Sequence, residues 1–305
     1  MSKPRKITVL VLLILLMAFL LVFLLDDKYY ILGKNTQGIT IENSDDVELF
    51  IRECLKKHSW QITITFSVHT DDLKTIDQTV EQLMEKALEE TDSPVEGDYI
   101  RYQYGGYEVK YEYTNKIGNR YDYVVKITPN YYTTTEQEKV VDEGVEKILA
   151  ELNVKAEDNS MSDFDKIKKI YDYVYNTVNY DSVHQRKDNH HMKTTAYFAV
   201  KYKTAVCQGY SVLMYRLLKE AGVDARVITG TVIENGEEQL HAWNIVKIDE
   251  KYYHLDVTWD KALETDAYFL KCDESFADHV RSEKYCTEEF YQNYPMADKD
   301  YECQP

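Results

Sequence analysis

The sequence predicts an α+β protein in which an N-terminal transmembrane helix precedes two domains. Three observations predict this class: an apolar run near the N-terminus and, after it, two stretches that mix helical and strand periods. The chain has 305 residues, and 44% of them are hydrophobic, enough for two modest cores. We expect a tip and anchor at residues 1–27, a linker at 28–42, an α+β accessory domain at 43–155, and helices packed on an antiparallel sheet at 156–305.

The apolar run from Ile7 to Leu25 has the length of a membrane span. At about 1.5 Å per residue it covers roughly 28 Å, close to the hydrocarbon thickness of about 30 Å. Basic residues precede it and two aspartates follow it, so the N-terminus is expected in the cytoplasm and the rest outside. A cleaved signal peptide is the alternative, but its apolar region is usually shorter and ends in small residues. We therefore expect an uncleaved, single-pass anchor in the cell membrane.

The net charge of −17 narrows the classes of partner. A strongly acidic chain is repelled by nucleic acid and by anionic membrane surfaces, so neither is expected as a main partner. The sequence contains no Cys-x-x-Cys, no His-x-x-x-His and no twelve-residue calcium loop. We therefore expect no metal and no cofactor. Cys272 and Cys286 could close a disulfide or stay reduced, and the sequence leaves both open.

Residues 43–155 alternate between helical and strand patterns. Helices are expected where apolar residues recur at helical spacing: Ser44–Lys57, Asp71–Glu90, and a segment opened by a capping box at Thr135 and ending near Leu152. Strands are expected where apolar and polar residues alternate: Trp60–Val68, Tyr99–Tyr104, Tyr107–Tyr113 and Tyr121–Thr128. Gly105-Gly106 should make a tight hairpin. The many tyrosines indicate either ordinary amphipathic strands or a binding face, and the expected role of this half is to position the second domain.

In residues 156–305, helices come first and strands follow. Helices are expected at Ser162–Val178, Thr194–Lys201 and from Cys207 to the stop at Gly222. Strands are expected at Ala225–Ile233, Leu240–Ile248 and Tyr252–Trp259, as an antiparallel meander. The helix that begins at Cys207 should pack against this sheet.

Three residues of this half have the types that a thiol nucleophile requires. Cys207 opens a helix, where unpaired amides and the positive helix end stabilise a thiolate. His241 begins one predicted strand and Asp256 lies on the next. A histidine can take and return the thiol proton, and an acid can orient its ring. His254 is the competing base and Asp260 the competing acid.

The segments around these residues resemble the transglutaminase-like superfamily, whose catalytic core is papain-like. The resemblance rests on Val-Cys-Gln-Gly-Tyr, His-Ala-Trp-Asn and His-Leu-Asp-Val-Thr-Trp-Asp, with a lead-in at Thr195, and covers roughly Ser160–His279. It implies a Cys-His-Asp triad at Cys207, His241 and Asp256. It leaves the substrate open, because the superfamily includes cross-linking transferases, peptidases, amidases and inactive relatives.

The resemblance implies acyl transfer through a thioester on Cys207, to an amine or to water. The expected substrate is a protein or peptide amide, such as a cell-wall peptide, by location alone. The alternative is a non-catalytic surface module that binds peptide or acts as a scaffold on the same fold.

Other residues are expected to complete the cleft. Trp243, Tyr210 and Trp259 are candidates for contact with substrate, although core packing is an equal interpretation of the tryptophans. The Cys207 amide is one candidate donor to a developing oxyanion. Gln208 and Tyr202 are candidates for the second. Tyr202 and the nearby Phe198 stand where relatives often have glycines, so they are expected to narrow the cleft.

A hairpin must bring His241 and Asp256 to one face of the sheet. Faces alternate with period two, so the two residues share a face only if directly opposed residues sum to an odd number. Loops of two or four residues meet this condition and a three-residue loop does not.

We expect the four-residue loop. Neither Glu250 nor Lys251 suits the positive φ of a tight primed turn. The expected register therefore sets Ile248 opposite Tyr253. Further along the same strands it sets His241 opposite Asp260.

Overall fold

The computed structural model of the chain describes residues 36–40, 44–69, 72–116, 120–158, 160–181, 190–234 and 236–302. In these residues the chain forms a four-stranded sheet, a five-stranded sheet and a short two-stranded pair. Helices pack against both larger sheets. This part of the chain is a mixed α+β fold whose sheets are largely antiparallel.

The predicted fold class also included a transmembrane helix, and this part is corrected. Among the described residues, no helix is both long enough and apolar enough to cross a membrane. The predicted span at residues 7–25 lies outside the described residues. The fold class is accordingly α+β, and the predicted single-pass location in the cell membrane is corrected with it.

The N-terminal half is a mixed sheet with its covering helices. Its strands are β1 (Thr36–Thr40), β2 (Gln61–Val68), β3 (Tyr104–Lys116) and β4 (Arg120–Tyr131), in the order β1-β2-β4-β3. Its helices are α1 (Ser44–Lys56) and α2 (Leu73–Ala87). Burial alternates along β2. Helix α2 buries a stripe of side chains at helical spacing in the core of the N-terminal half: Ile76, Val80, Leu83, Met84 and Ala87. The predicted helices and the strand at Trp60–Val68 are confirmed to within a few residues.

The predicted strand at Tyr99–Tyr104 is wrong, because a long-range contact overrides the local pattern. The chain forms a helical turn there, α3 (Asp98–Arg101). Asp98 is buried and accepts hydrogen bonds from the Arg226 guanidinium at 2.7 and 3.1 Å and from the Val227 amide at 2.8 Å. Both donors lie in the C-terminal half, so this turn links the two halves.

The predicted hairpin at Gly105-Gly106 is also wrong. Both glycines lie inside β3, where the register with β4 shifts between Tyr104 and Tyr107. Gly106 has φ +86°, which glycine adopts without strain, so the pair forms a bulge. Beyond it the strand alternates as far as Glu112: Tyr107, Val109 and Tyr111 pack on the core of the N-terminal half, and the residues after each of them are exposed.

The C-terminal half begins with helices. They are α4 (Thr135–Leu152), α5 (Asp163–Thr177), α6 (His190–Lys193), α7 (Ala196–Tyr202) and α8 (Cys207–Glu220). The capping box of α4 is formed by Thr134 and Gln137, one residue earlier than predicted. Although the predicted boundary at residue 155 places α4 with the accessory domain, its buried side chains lie in the same core as those of α8.

The five-stranded sheet follows. Its strands are β7 (Ala225–Glu234), β8 (Glu237–Ile248), β9 (Lys251–Leu255), β10 (Phe269–Lys271) and β11 (His279–Arg281), in the order β10-β9-β8-β7-β11. The short parallel pair is β5 (Asn179–Tyr180) with β6 (Thr204–Ala205), and the remaining helices are α9 (Val257–Leu263) and α10 (Glu288–Asn293). Almost every residue of α8 is buried, because α5 and α7 pack on it from one side and β7 and β8 from the other.

The hairpin between β8 and β9 differs from the prediction. Ile248 pairs with Lys251, so the loop has two residues, Asp249 and Glu250. They adopt φ +49° and +69°, as a primed turn requires, although neither is glycine. Opposed residues sum to 499, an odd number, so the parity condition holds while the predicted four-residue loop is wrong. The predicted strand to Trp259 is wrong as well, since β9 stops at Leu255 and α9 follows.

The strained turn yields a stability prediction. Replacing Glu250 by Gly should raise the free energy of unfolding by about 0.5–1 kcal/mol, because a left-handed φ costs a residue with a Cβ about 1–2 kcal/mol and glycine much less. Urea denaturation measures the change. Glu250→Ala, which removes the charge but keeps the Cβ, is the matched control and should give no such gain. Equal stability of the glycine variant and the parent would contradict the turn assignment.

Candidate active site

Cys207 is the first residue of α8, the central helix of the C-terminal half. Val206 caps α8 in an extended conformation, and its amide donates to the Lys193 carbonyl at 3.1 Å. At Gly209, two residues after Cys207, a Cβ would lie 2.4 Å from the same carbonyl oxygen, so only glycine allows this approach. The half-buried thiol therefore sits at a helix start, beside amides that have no intrahelical partner.

The ring of His241 contacts the carboxylate of Asp256 and shares the cleft with the thiol of Cys207. The Nε2 atom of His241 and the Oδ2 atom of Asp256 are 2.6 Å apart. The Cys207 thiol is near enough to the ring to contribute to the raised pKa of His241. His241 and Asp256 are buried and Cys207 is half-buried. The structure thus brings the three predicted residues together in the order that proton transfer requires.

Asp256 is held by its own helix cap. It is the N-cap of α9, and its Oδ1 atom accepts from the amides of Thr258 at 2.9 Å and Trp259 at 3.1 Å. The Asp256 amide in turn donates to the Tyr268 carbonyl at 3.0 Å. One oxygen is used to begin a helix, and the other remains for histidine.

The electrostatics of the pair favour the charged forms. Burial alone would lower the pKa of His241, but the Asp256 carboxylate and its hydrogen bond outweigh burial and raise that pKa to about 10. Burial alone would raise the pKa of Asp256, but the charge of His241 and hydrogen bonds from two histidines lower it well below its usual range. The ring is therefore an imidazolium and the acid a carboxylate near neutral pH.

A second histidine, His279, contacts the Asp256 carboxylate, and the sequence did not predict this contact. The Nε2 atom of His279 lies 3.0 Å from the Asp256 Oδ2 atom, and its Nδ1 atom lies 2.7 Å from the Asp278 Oδ1 atom. His279 opens the edge strand β11, twenty-three positions after Asp256. An aspartate directly before a histidine, near the end of the stretch that carries the resemblance, was the available signal.

The competing acid and base are engaged elsewhere. The Nδ1 atom of His254 accepts from the Trp243 indole at 3.0 Å, and its Nε2 atom faces the Asp273 carboxylate at 2.8 Å. Burial lowers the pKa of His254, which favours a neutral ring with its proton on Nε2. Asp260 accepts from the Tyr171 hydroxyl and the Tyr268 amide, and burial raises its pKa to about 6.

Of the three predicted substrate contacts, one lines the cleft and two lie in the core. Trp259 is half-buried and lines the cleft beside His241. Tyr210 is fully buried, and its hydroxyl donates to the Val178 carbonyl at 2.7 Å. Trp243 is 1% exposed and packs inside the sheet. For Tyr210 and Trp243 the prediction is corrected, because their rings fill the core and line no part of the cleft.

The predicted accessory donors are corrected as well. The Gln208 side-chain amide donates to the Tyr102 carbonyl at 2.8 Å. The rings of Tyr202 and Phe198 contact each other on α7 at a tilt of 42°, and neither residue lines the cleft, so they do not narrow it. Thr258 lines the cleft, and its buried hydroxyl has no hydrogen-bond partner among the described residues.

The cleft has a volume of about 790 Å³ and is lined by neutral side chains apart from His241. No aspartate, glutamate, lysine or arginine of the described residues lines it. Leu240, directly before the histidine, is 88% exposed at its rim. An uncharged wall next to a thiol and an imidazolium suits a neutral substrate segment.

Among the described residues, one group of side chains is close enough to hold a metal ion: His241, Asp256 and His279, whose donor atoms lie within 4.8 Å of one another. Hydrogen bonding accounts for this closeness, because both Nε2 atoms face the same carboxylate oxygen. The group fits a proton network without an ion.

Residues 150–257 match the family model described as the transglutaminase-like superfamily. This segment is transglutaminase-like. It contains Cys207, His241 and Asp256, and ends one residue after the last of them. No curated protein matches the chain.

Solved structures give weaker likenesses. A structure described as a TGase is 19% identical with a TM-score of 0.32, over 74% of this chain and 60% of that one. A protein assigned as a cysteine protease from Cytophaga hutchinsonii is 14% identical with a TM-score of 0.33, over 58% and 69%. The arylamine N-acetyltransferase NAT3 of Bacillus cereus, with a Cys-His-Glu triad, is 19% identical with a TM-score of 0.27, over 37% and 48%. Nothing about function rests on likenesses at these TM-scores.

The His241–Asp256 pair predicts a pH dependence of stability. The pKa of His241 rises from about 6.5 in the unfolded chain to about 10, so its stabilisation is complete below pH 6.5 and is lost as the pH rises through 10. In a Cys207→Ala background, the free energy of unfolding should fall over this range by up to about 1.4 kcal/mol per pKa unit. His241→Gln in the same background should remove that fall. Parallel pH curves for the two proteins would contradict the ion pair.

Proposed function

We propose that the protein is a thiol acyltransferase or hydrolase that acts on amide bonds of a protein or peptide through a thioester on Cys207. The observation that carries the proposal is the His241 ring, which lies 2.6 Å from the Asp256 carboxylate and lines one cleft with the Cys207 thiol, whose charge helps to raise its pKa. The match of residues 150–257 to the transglutaminase-like superfamily supports the same reaction class.

The geometry supports a two-step reaction. In the first step the Cys207 thiolate attacks the carbonyl carbon, the C–N bond breaks, and the amine leaves with a proton from His241. In the second step water or another amine attacks the thioester, gives its proton to His241, and releases Cys207 as a thiolate. Asp256 keeps the ring oriented and stabilises its charged form throughout. The amide of Cys207 is the proposed donor to the oxyanion.

The cleft supports a substrate class. Its neutral, partly apolar walls suit an uncharged peptide segment, which avoids burying an unpaired charge. The earlier expectation of a cell-wall peptide rested on the membrane location and is not carried further. A protein or peptide remains the proposed partner.

Selective alkylation tests the nucleophile. Iodoacetamide at pH 7 should modify Cys207 at least about 10²-fold faster than Cys286, the exposed cysteine, which serves as a control within the same molecule. His241→Ala should abolish the advantage, because the imidazolium that stabilises the thiolate is gone. Peptide mapping after timed quenching measures both rates. Equal labelling of Cys207 and Cys286 in the parent protein would contradict a catalytic thiol.

Trapping of an acyl-enzyme separates catalysis from peptide binding alone. With p-nitrophenyl acetate, the thiolate should displace p-nitrophenolate and leave an acetyl group on Cys207, seen by intact mass. Added methylamine should shorten the lifetime of this adduct if the enzyme transfers to amines, and leave it unchanged if it hydrolyses. Cys207→Ala is the control. A parent protein that forms no acetyl adduct would instead fit a non-catalytic module.

A further inference from the structure

His279 faces a carboxylate with each nitrogen of its ring. Its Nδ1 atom is 2.7 Å from Asp278, and its Nε2 atom is 3.0 Å from the Oδ2 atom that Asp256 also offers to His241. A neutral imidazole has one N–H and one lone pair, so it would point the lone pair at a carboxylate oxygen. Donation to both acids requires two protons on the ring, and hence a positive charge.

The surroundings of His279 stabilise that charge without water. Its side chain has no exposed area. Aromatic rings enclose it, with centroid distances of 4.0–5.4 Å, and ring faces attract cations: Trp243, Trp259, Tyr268 and Phe276. Asp278 is partly exposed and accepts from the Tyr268 hydroxyl at 2.6 Å, which fixes its position beside the ring.

We propose that His279 is a buried imidazolium that positions Asp256 and withdraws part of its negative charge from His241, and thereby sets the pH range in which Cys207 and His241 work. This rests on the proposed function of the site. His279 touches neither the thiol nor the cleft, so it acts through Asp256.

The direction of the effect follows from charge. The rings of His241 and His279 are 5.4 Å apart. A positive charge at this distance disfavours a proton on His241 and stabilises the nearby thiolate. Its removal should therefore make both groups hold their protons to higher pH, by about one unit or more at an effective dielectric constant near 20.

Other titratable groups around His279 do not offset this effect. Asp278 precedes it on its own segment, Asp256 and His241 face it from α9 and β8, and Tyr268 and His254 lie on the remaining sides. His254 is neutral, because burial lowers its pKa and its Nδ1 atom accepts the Trp243 N–H.

The test is the pH profile of Cys207 alkylation by iodoacetamide, from pH 5 to 10, in His279→Gln. The amide of glutamine retains a donor for Asp256 but carries no charge. The midpoint should move up by about one unit, which is roughly a tenfold slower reaction at a fixed pH on the acid side. His254→Gln is the matched control: it removes another buried ring that stacks on Phe276, but makes no contact with Asp256. It should leave the midpoint in place even if it costs similar stability.

A second variant and an NMR measurement test the charge of His279 separately from the alkylation profile. Asp278→Asn, at a partly exposed position, removes one of the two carboxylates that the imidazolium faces, so the ring should lose its second proton at a lower pH than in the parent. The ¹⁵N NMR shifts of the His279 ring measure this, and in the parent they should show both nitrogens protonated between pH 5 and 8, which tests the charge even if His279→Gln does not fold. A neutral ring in the parent, or overlapping alkylation profiles of the parent and His279→Gln, would overturn the proposal. If Cys207 of the parent is no more reactive than Cys286, the proposed function fails instead, and the NMR result still decides the state of His279.

Discussion

The carboxylate of Asp256 is the group on which the site depends. One oxygen accepts from the amides of the second and third residues of α9, Thr258 and Trp259, and the other accepts from His241 and His279. A buried carboxylate is costly unless every lone pair is engaged, and here four donors engage it. The same atoms therefore begin a helix and orient the base. A change in the path of the chain after β9 would disturb both the helix cap and the orientation of His241, because the single side chain of Asp256 serves both.

A second set of buried charges joins the two halves of the molecule. Asp98 binds the Arg226 side chain in the C-terminal half, and Glu90 accepts from the Tyr215 hydroxyl at 2.5 Å, on the central helix. Burial, together with the neighbouring Asp98 charge, raises the pKa of Glu90 to about 7. Because Tyr215 lies on the same helix as Cys207, the N-terminal half supports the helix that carries the thiol. This gives a physical basis for the positioning role expected of that half.

The sequence predicted what is encoded locally. The helix that begins at Cys207 follows from the apolar spacing of α8 and the glycine after it, and the order of Cys207, His241 and Asp256 follows from their segments. What it could not predict depends on long-range contacts or on tolerated strain. The turn at Asp98 is held by a contact with residues 128 positions away, and His279 reaches Asp256 only because β11 pairs with β7 at the sheet edge. The positive φ of Asp249 and Glu250 contradicts their residue types.

The register explains how the triad forms although the hairpin differs from the prediction. With Ile248 opposite Lys251, continued pairing would set His241 opposite Thr258, with Asp256 displaced by two residues along the same face. The strand ends at Leu255 instead, and the chain turns at Asp256 into α9. This turn frees the carboxylate from the pleat and lets it approach the Nε2 atom to 2.6 Å, whereas diagonal neighbours on a sheet lie about 7–8 Å apart. The odd sum places the residues on one face, and the helix cap closes the remaining gap.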